Sequence, residues 1–384
     1  MMCRAALLCC ALLAGCASPP PAPPAAPALF NDQAFAPPTQ RVSAADVFAL
    51  SDAMQRFLSS DPASALSQPD PRRHLIDRLF GKRRLSLEYD STSTRNAAEA
   101  FEQRAGNCLS LVIMTAAFAK HIGVPVQYQS VIVDEAWSRS GNLYFASGHV
   151  NLALGWSMTN SRFVRNFEPP LIVDFLPPED LRGQRSRTIS EKTVVAMFMN
   201  NRAAEAMVRA QLDDAYWWAR EAIVQDPTFM AAYNTLGVVY LRHGELTQAQ
   251  MLFEEVLRRE PENTKVMGNL VHALKTQGRD AEADRLAERL ARIEPFPPFH
   301  FFNAGLAAMR EHDYRSARDL FTKELNREAY YHEFHFWLAQ AQFALGNVKE
   351  ARKHLELAKQ SSTTVQDHDI YSAKLDRLRA YQAQ

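Results

Sequence analysis

The second half of this 384-residue chain repeats every 34 residues, and few architectures accommodate that. Ala215, Ala249, Ala283, Ala317 and Ala351 fall on the period, as do Pro227, Pro261 and Pro295. Gly244 and Gly278 follow it, and Gly346 rejoins it two periods later with His312 at the position between. One helix pair of this size cannot cover its own apolar face, so neighbours must stack. Small residues at fixed positions let the stacked helices approach closely. The spacing predicts about five units between 196 and 361, the first and last least regular, with a capping helix to the end. Residues 191–384 therefore read as an all-α solenoid.

The best copy, Tyr233, Leu236, Gly237, Tyr240, Ala249, Phe253 and Pro261, resembles the tetratricopeptide repeat. The resemblance implies a protein or peptide partner held in a groove lined by the inner helices. The alternative is an array that packs only on the first domain or forms a dimer. At the junction of the fourth and fifth units, His300, His312, His332 and His335 crowd with Phe296, Phe299, Phe301, Phe302, Tyr330, Tyr331 and Phe334. No cysteine or tight His–carboxylate spacing accompanies them, so no metal or other cofactor is expected. An ordinary core or an aromatic binding patch is the reading there.

The first half is organised around residues 101–126. Leu109, Leu111, Val112, Ile113, Met114, Ala116, Ala117 and Phe118 follow Cys108, broken only by Ser110 and Thr115. A helix apolar on every side is a buried helix. Asn107 is a good N-cap, and Gly123 and Pro125 end the helix. Cys108 then stands on the first turn, where the helix dipole favours an anion. The competing reading is a small buried cysteine that fills a gap. Upstream, Ser43 to Asp46 reads as a helix start with Val47, Leu50, Met54, Phe57 and Leu58 behind it. Further short helices are expected at 70–80 and 95–104.

After Cys108 the period changes from helical to alternating. Strands are expected over 124–133 and 143–154, with a third built from Phe163–Val164 and Leu171–Phe175. Helices first and strands second indicate an α+β domain with an antiparallel sheet. Alternation places His149 and Asn151 on one face of their strand, opposite Val150, Leu152 and Leu154. Asp174, set in the apolar run Leu171–Val173, needs a partner, since an unpaired buried charge is costly. If His149 and Asp174 face each other, the turn centres between Ser161 and Arg162. His121 is assigned to the C-terminus of the cysteine helix, where a cation is favoured.

Cysteine at a helix start, histidine on one strand and aspartate on the next is the order of the transglutaminase-like (papain-like) superfamily, which residues 89–176 resemble. The motifs are Arg104 to Leu111 with its apolar helix, Gly148 to Asn151, and Ile172 to Phe175. The resemblance implies Cys108 as nucleophile, His149 as base and acid, and Asp174 as orienter, acting at an amide or ester carbonyl. The backbone N–H of Cys108 is one candidate oxyanion donor, with Tyr89 or Gln103 supplying another. Leu109 stands where cross-linking transglutaminases have tryptophan, which favours amide hydrolysis over cross-linking.

The N-terminus, Met1 to Ala14, has a charged start and a short Ala/Leu stretch too short to span a membrane. It ends Leu13-Ala14-Gly15-Cys16, which resembles the lipobox of bacterial lipoproteins. The resemblance implies a signal peptide over 1–16, acylation of Cys16, and a periplasmic protein anchored at the outer membrane. Cys3, Cys9 and Cys10 would leave with the leader. Residues 17–40 read as a Pro-rich spacer, 41–190 as the α+β domain and 191–384 as the repeats. A lone Cys108 thiol in an oxidising compartment is an oxidation liability, which favours a role for it. Lys plus Arg and Asp plus Glu are both 43, so no basic excess suggests nucleic acid. The rival reading is a non-catalytic scaffold that uses the array to assemble an envelope complex.

Overall fold

Helix α4 (Cys108–His121) is the axis of the first half. Every side chain from Leu109 to Ala119 is buried, as its all-round apolar sequence requires. Asn107 caps it, its side-chain oxygen accepting from Ser110 N–H at 2.9 Å. Gly106 leaves no room for a Cβ, which would lie 2.6 Å from Ser110 Cβ. The structure is a computed structural model that describes residues 29–60, 70–81, 85, 87–91, 93–140, 143–155, 169–175, 185–329, 331–362 and 364–382. Cys16 and its leader, residues 17–28, the expected strand piece Phe163–Val164, the turn 157–162 and Tyr330 lie outside the described residues.

Among the described residues, three short helices, α1 (Asp52–Ser59), α2 (Pro71–Phe80) and α3 (Ala97–Gln103), precede α4. The helix expected from Ser43 does not run through. Ser43 makes no cap bond and only a 3-10 turn, Ala44–Asp46, follows it. Val47 O accepts from Ala97 N–H at 3.0 Å, which takes that carbonyl out of any helical ladder. The helix begins instead behind Ser51, whose hydroxyl accepts from Met54 N–H. Strands β1 (Glu88–Tyr89) and β2 (Ala105–Gly106) form a short parallel pair that sets Tyr89 beside Gly106.

Among the described residues the main sheet has four antiparallel strands, in the order β5–β4–β3–β6, with β3 (Val126–Ser140), β4 (Leu143–Leu154), β5 (Leu171–Val173) and β6 (Arg185–Ile189). β6 carries no apolar signal. Its residues Arg185–Thr188 are exposed, and it forms by adding backbone pairs to the edge of β3.

Ten helices, from α5 (Glu191–Val208), α6 (Leu212–Gln225) and α7 (Met230–His243) to α13 (His332–Ala344) and α14 (Val348–Gln360), stack as five pairs. The final helix α15 (Val365–Gln382) caps them. The turn within each pair falls one period apart, and φ is positive every time: 59° at Ala210, 97° at Gly244, 74° at Gly278, 61° at His312 and 80° at Gly346. Glycine recurs there because the left-handed backbone suits it.

The buried core does not stop at residue 190. One cluster runs from Leu29 through α4 and the sheet to Ala283, and smaller ones lie around Phe302 and Leu355. The spacer assignment also needs correction over 29–40. Phe35 stacks on Tyr216 with ring centroids 4.0 Å apart. Asp32 pairs with Arg220 at 2.8 Å and accepts from Tyr216 Oη. Ala36 and Thr39 N–H groups donate to Asp213 and Asp214. This segment is a strap across α6 and α7. Proline content signals an extended chain, but Phe35 and Asp32 decide that the chain is tied down.

Candidate functional site

The first turn of α4 presents Cys108, which is half-buried and a free thiol. Across from it, β4 supplies His149, only 5% exposed. Its Nε2–H donates to Asp174 Oδ1 at 2.7 Å. Asn151 Nδ2 donates to the other oxygen, Asp174 Oδ2, at 2.8 Å. The Cys108 sulfur lies close enough to the imidazole to raise its pKa. All three residues from the sequence pattern therefore meet at one point.

The register differs from the expected one. Leu152 pairs with Val173 and Leu154 with Leu171, so one step further sets Asp174 opposite Asn151 rather than His149. The slip is by two residues, which preserves the face. A diagonal neighbour two residues away remains within side-chain reach, and Asp174 uses it to bind both His149 and Asn151.

Burial works against a charged His149 ring. The hydrogen bond to Asp174 and the nearby Cys108 sulfur, together with their negative charges, outweigh it and push the imidazole up to about 9. The ring thus holds its second proton at neutral pH. Chemically, the set provides a sulfur nucleophile, a proton carrier beside it and a carboxylate that fixes the carrier's orientation.

Of the two side-chain oxyanion candidates, Tyr89 is placed near the thiol and Gln103 is engaged elsewhere. The β1–β2 pairing sets Tyr89 beside Gly106, two residues before Cys108. Tyr89 is 47% exposed; partial desolvation, then the charges of Cys108 and Asp90, push its phenol up, so it stays protonated. Gln103 lies exposed at the end of α3, its Oε1 accepting from Arg95 Nε at 2.7 Å. Within α4, Asn107 takes the Ser110 and Leu111 N–H groups. Those of Cys108 and Leu109 stay outside the helix's own bonds. An open cavity of about 700 Å³ lies between Tyr89 and Glu88 on one side and Lys359, His368, Leu375 and Arg379 on the other. The end of the array therefore faces the strand next to the thiol.

The histidines of the fourth and fifth units do not converge. His300 packs on Phe296 and Phe301, His312 Nδ1 meets Tyr314 Oη, and His332 Nδ1 meets Tyr371 Oη. His335 instead stacks on His354, with their Nδ1 atoms 3.1 Å apart. Phe299, Phe302 and Phe334 are buried core residues, while Phe296 is 51% exposed. Among the described residues no group of three or more His, Cys, Asp or Glu could hold a metal ion, and no helix is long and apolar enough to cross a membrane.

Two family models match the chain, both described as tetratricopeptide repeat, over residues 240–300 and 302–364. The C-terminal region is a tetratricopeptide-repeat solenoid. No curated protein matches the chain. Several solved structures overlap the repeats. PilF of Pseudomonas aeruginosa is 19% identical over 50% of this chain and 99% of its own, with a TM-score of 0.28. A thermophilic TPR protein of Thermus thermophilus is 17% identical over 47% of this chain and 98% of its own, at 0.30. YrrB, described as a TPR protein with an unusual peptide-binding site, is 19% identical over 47% and 92%, at 0.25. Overlap this low says nothing about ligands or partners.

Proposed function

We propose that this chain is a polypeptide-binding scaffold whose tetratricopeptide solenoid holds a protein partner. The observation that carries it is the match of residues 240–300 and 302–364 to a repeat used for protein contacts. Exposed apolar side chains on the array, Phe296 at 51% and Phe343 at 42%, are the contacts such a partner would use. The test uses the full chain as bait in bacterial envelope extract. A polypeptide recovered by the wild type and weakened by Phe296→Ser is expected. Recovery of no specific polypeptide would remove the reading.

A second reading is favoured by the contact between His149 and Asp174 at 2.7 Å with Cys108 on the same ring. In it, the Cys108 sulfur attacks an amide carbonyl of the held polypeptide. His149 then gives its proton to the leaving amine, and water or an acceptor amine releases the acyl group from sulfur. Tyr89 and the N–H of Cys108 steady the oxyanion. The resemblance to the transglutaminase-like superfamily and Leu109 point to hydrolysis. A reactive phenyl ester should acylate Cys108, seen by mass spectrometry, and His149→Ala should slow it by orders of magnitude. Equal acylation in both proteins leaves only the scaffold.

The lipobox-like Leu13-Ala14-Gly15-Cys16 supports a lipid-anchored protein facing the periplasm, held at the outer membrane. Cys16→Ser should release it from the membrane fraction, and unchanged recovery there counts against the anchor.

A further inference from the structure

Helix α5 opens the repeat array, yet side chains near both its ends hydrogen-bond residues that flank α4. At one end, Glu191 accepts from Lys120 Nζ at 2.7 Å and from Tyr128 Oη at 3.0 Å. At the other, Thr94 is enclosed, with only 1% exposed. Its N–H donates to Glu205 Oε1 at 2.6 Å. Its hydroxyl oxygen accepts from Asn201 Nδ2 at 3.3 Å and from Asn107 Nδ2 at 2.9 Å. Its carbonyl accepts from Arg202 Nη1 at 3.2 Å. Asn107 is the cap of the Cys108 helix, so α5 reaches α4 directly at Lys120 and through Thr94 at the cap. From Glu191 to Glu205 is about 21 Å of helix, and from Asn107 to Lys120 about 20 Å. The two helices run in opposite directions with matched span.

The two grips are unequal. Lys120 and Glu191 are both more than two-fifths exposed, and an exposed pair of this kind contributes little. The Thr94 end is buried, where removing one partner strands the others in a low-dielectric site.

We infer that α5 is a splint for the thiol helix, with Thr94, Asn201 and Glu205 as positioning residues that fix the Asn107 cap and, through it, the place of Cys108 beside His149. The functional part of this inference rests on the thiol reading. The positioning part does not. The array is then not an appendage to the site: its first helix braces the cap of the helix that carries Cys108.

The test is made on the full-length protein with Thr94→Val, Asn201→Ala and the conservative Thr94→Ser. Hydrogen exchange reads the amides of the first turn of α4, and iodoacetamide alkylation of Cys108 is followed against pH. Thr94→Val should raise first-turn exchange about tenfold, the factor expected when a buried hydrogen-bond partner is removed. Asn201→Ala should raise it less, and Thr94→Ser should restore it. The Thr94→Val alkylation profile should move toward that of His149→Ala. Exchange and profile both unchanged in Thr94→Val and Asn201→Ala would overturn the splint. So would exchange that rises equally throughout the chain, which is general destabilisation. First-turn exchange that rises while His149→Ala leaves the alkylation profile untouched keeps the splint and removes the thiol reading instead.

Discussion

Replacing Asp174 with asparagine isolates what the carboxylate does to His149. The change removes a charge and keeps the shape. The asparagine oxygen can still accept from His149 Nε2–H. Its new amide nitrogen would meet Asn151 Nδ2, now 2.8 Å from the carboxylate. Asn151 can turn its amide over, because its buried Oδ1 has no partner to lose. The fold should therefore survive, and the loss should be electrostatic. Burial opposes the charged His149 ring, but Asp174 and Cys108 push it up to about 9, against 6.5 for the free side chain. A folded pKa above the unfolded one adds stability that is fully present below 6.5 and is lost as pH rises through about 9. That interval is worth roughly 3 kcal/mol at most. In Asp174→Asn the His149 midpoint should fall by about one to three pH units, the usual effect of one adjacent opposite charge. The stability lost between neutral pH and 9 should shrink accordingly. The assays are the His149 Cε1–H resonance against pH and urea unfolding at several pH values. A wild-type ring that titrates as a free histidine, or a midpoint that Asp174→Asn leaves in place, refutes the account.

Three further outcomes test the array. Ala210 holds a left-handed φ of 59°, so Ala210→Gly should stabilise by about 0.5–1 kcal/mol in urea melts, strain relief exceeding the entropy cost of glycine; a destabilised variant would contradict this. At Gly237 a Cβ would lie 2.5 Å from Phe253 Cε1, a buried ring, so Gly237→Ala should cost about 1–3 kcal/mol by overpacking; neutral behaviour would show a looser core. His335 Nε2 meets Ala329 O, and its Nδ1 faces His354 Nδ1, so one proton serves both Nδ1 atoms. Burial, then His335 and Lys353, with Glu350 opposing, hold His354 down to about 4. A folded pKa below the unfolded value means stability present above 6.5 and lost as pH falls toward about 4. After allowing for solvent screening the loss should be about 1 kcal/mol, and His354→Gln should flatten it, read as Tm at about pH 7 and about pH 5.

What the sequence made legible, and what it hid, follows from how far apart the deciding residues lie. Helix α4 is readable because its buried character is written in every side chain and its cap stands one residue before it. The array is readable because the same turn and packing demands recur every 34 residues. The meeting of His149 with Asp174 is half readable. Alternation fixes the face, but the register depends on backbone pairs between segments, and a two-residue slip preserves the face while changing which residue stands opposite. The strap at 29–40 and the Thr94 enclosure are not readable locally. Phe35 needs Tyr216, and Thr94 needs Asn201 and Glu205. Nothing in either stretch announces a partner so far along the chain. Such contacts form where two segments with sufficient local signals of their own come together, and they tie the first half of this protein to its repeats. Dividing the chain at 190 follows the change in sequence pattern faithfully, yet the division cuts through the helix contact that holds Cys108 in place.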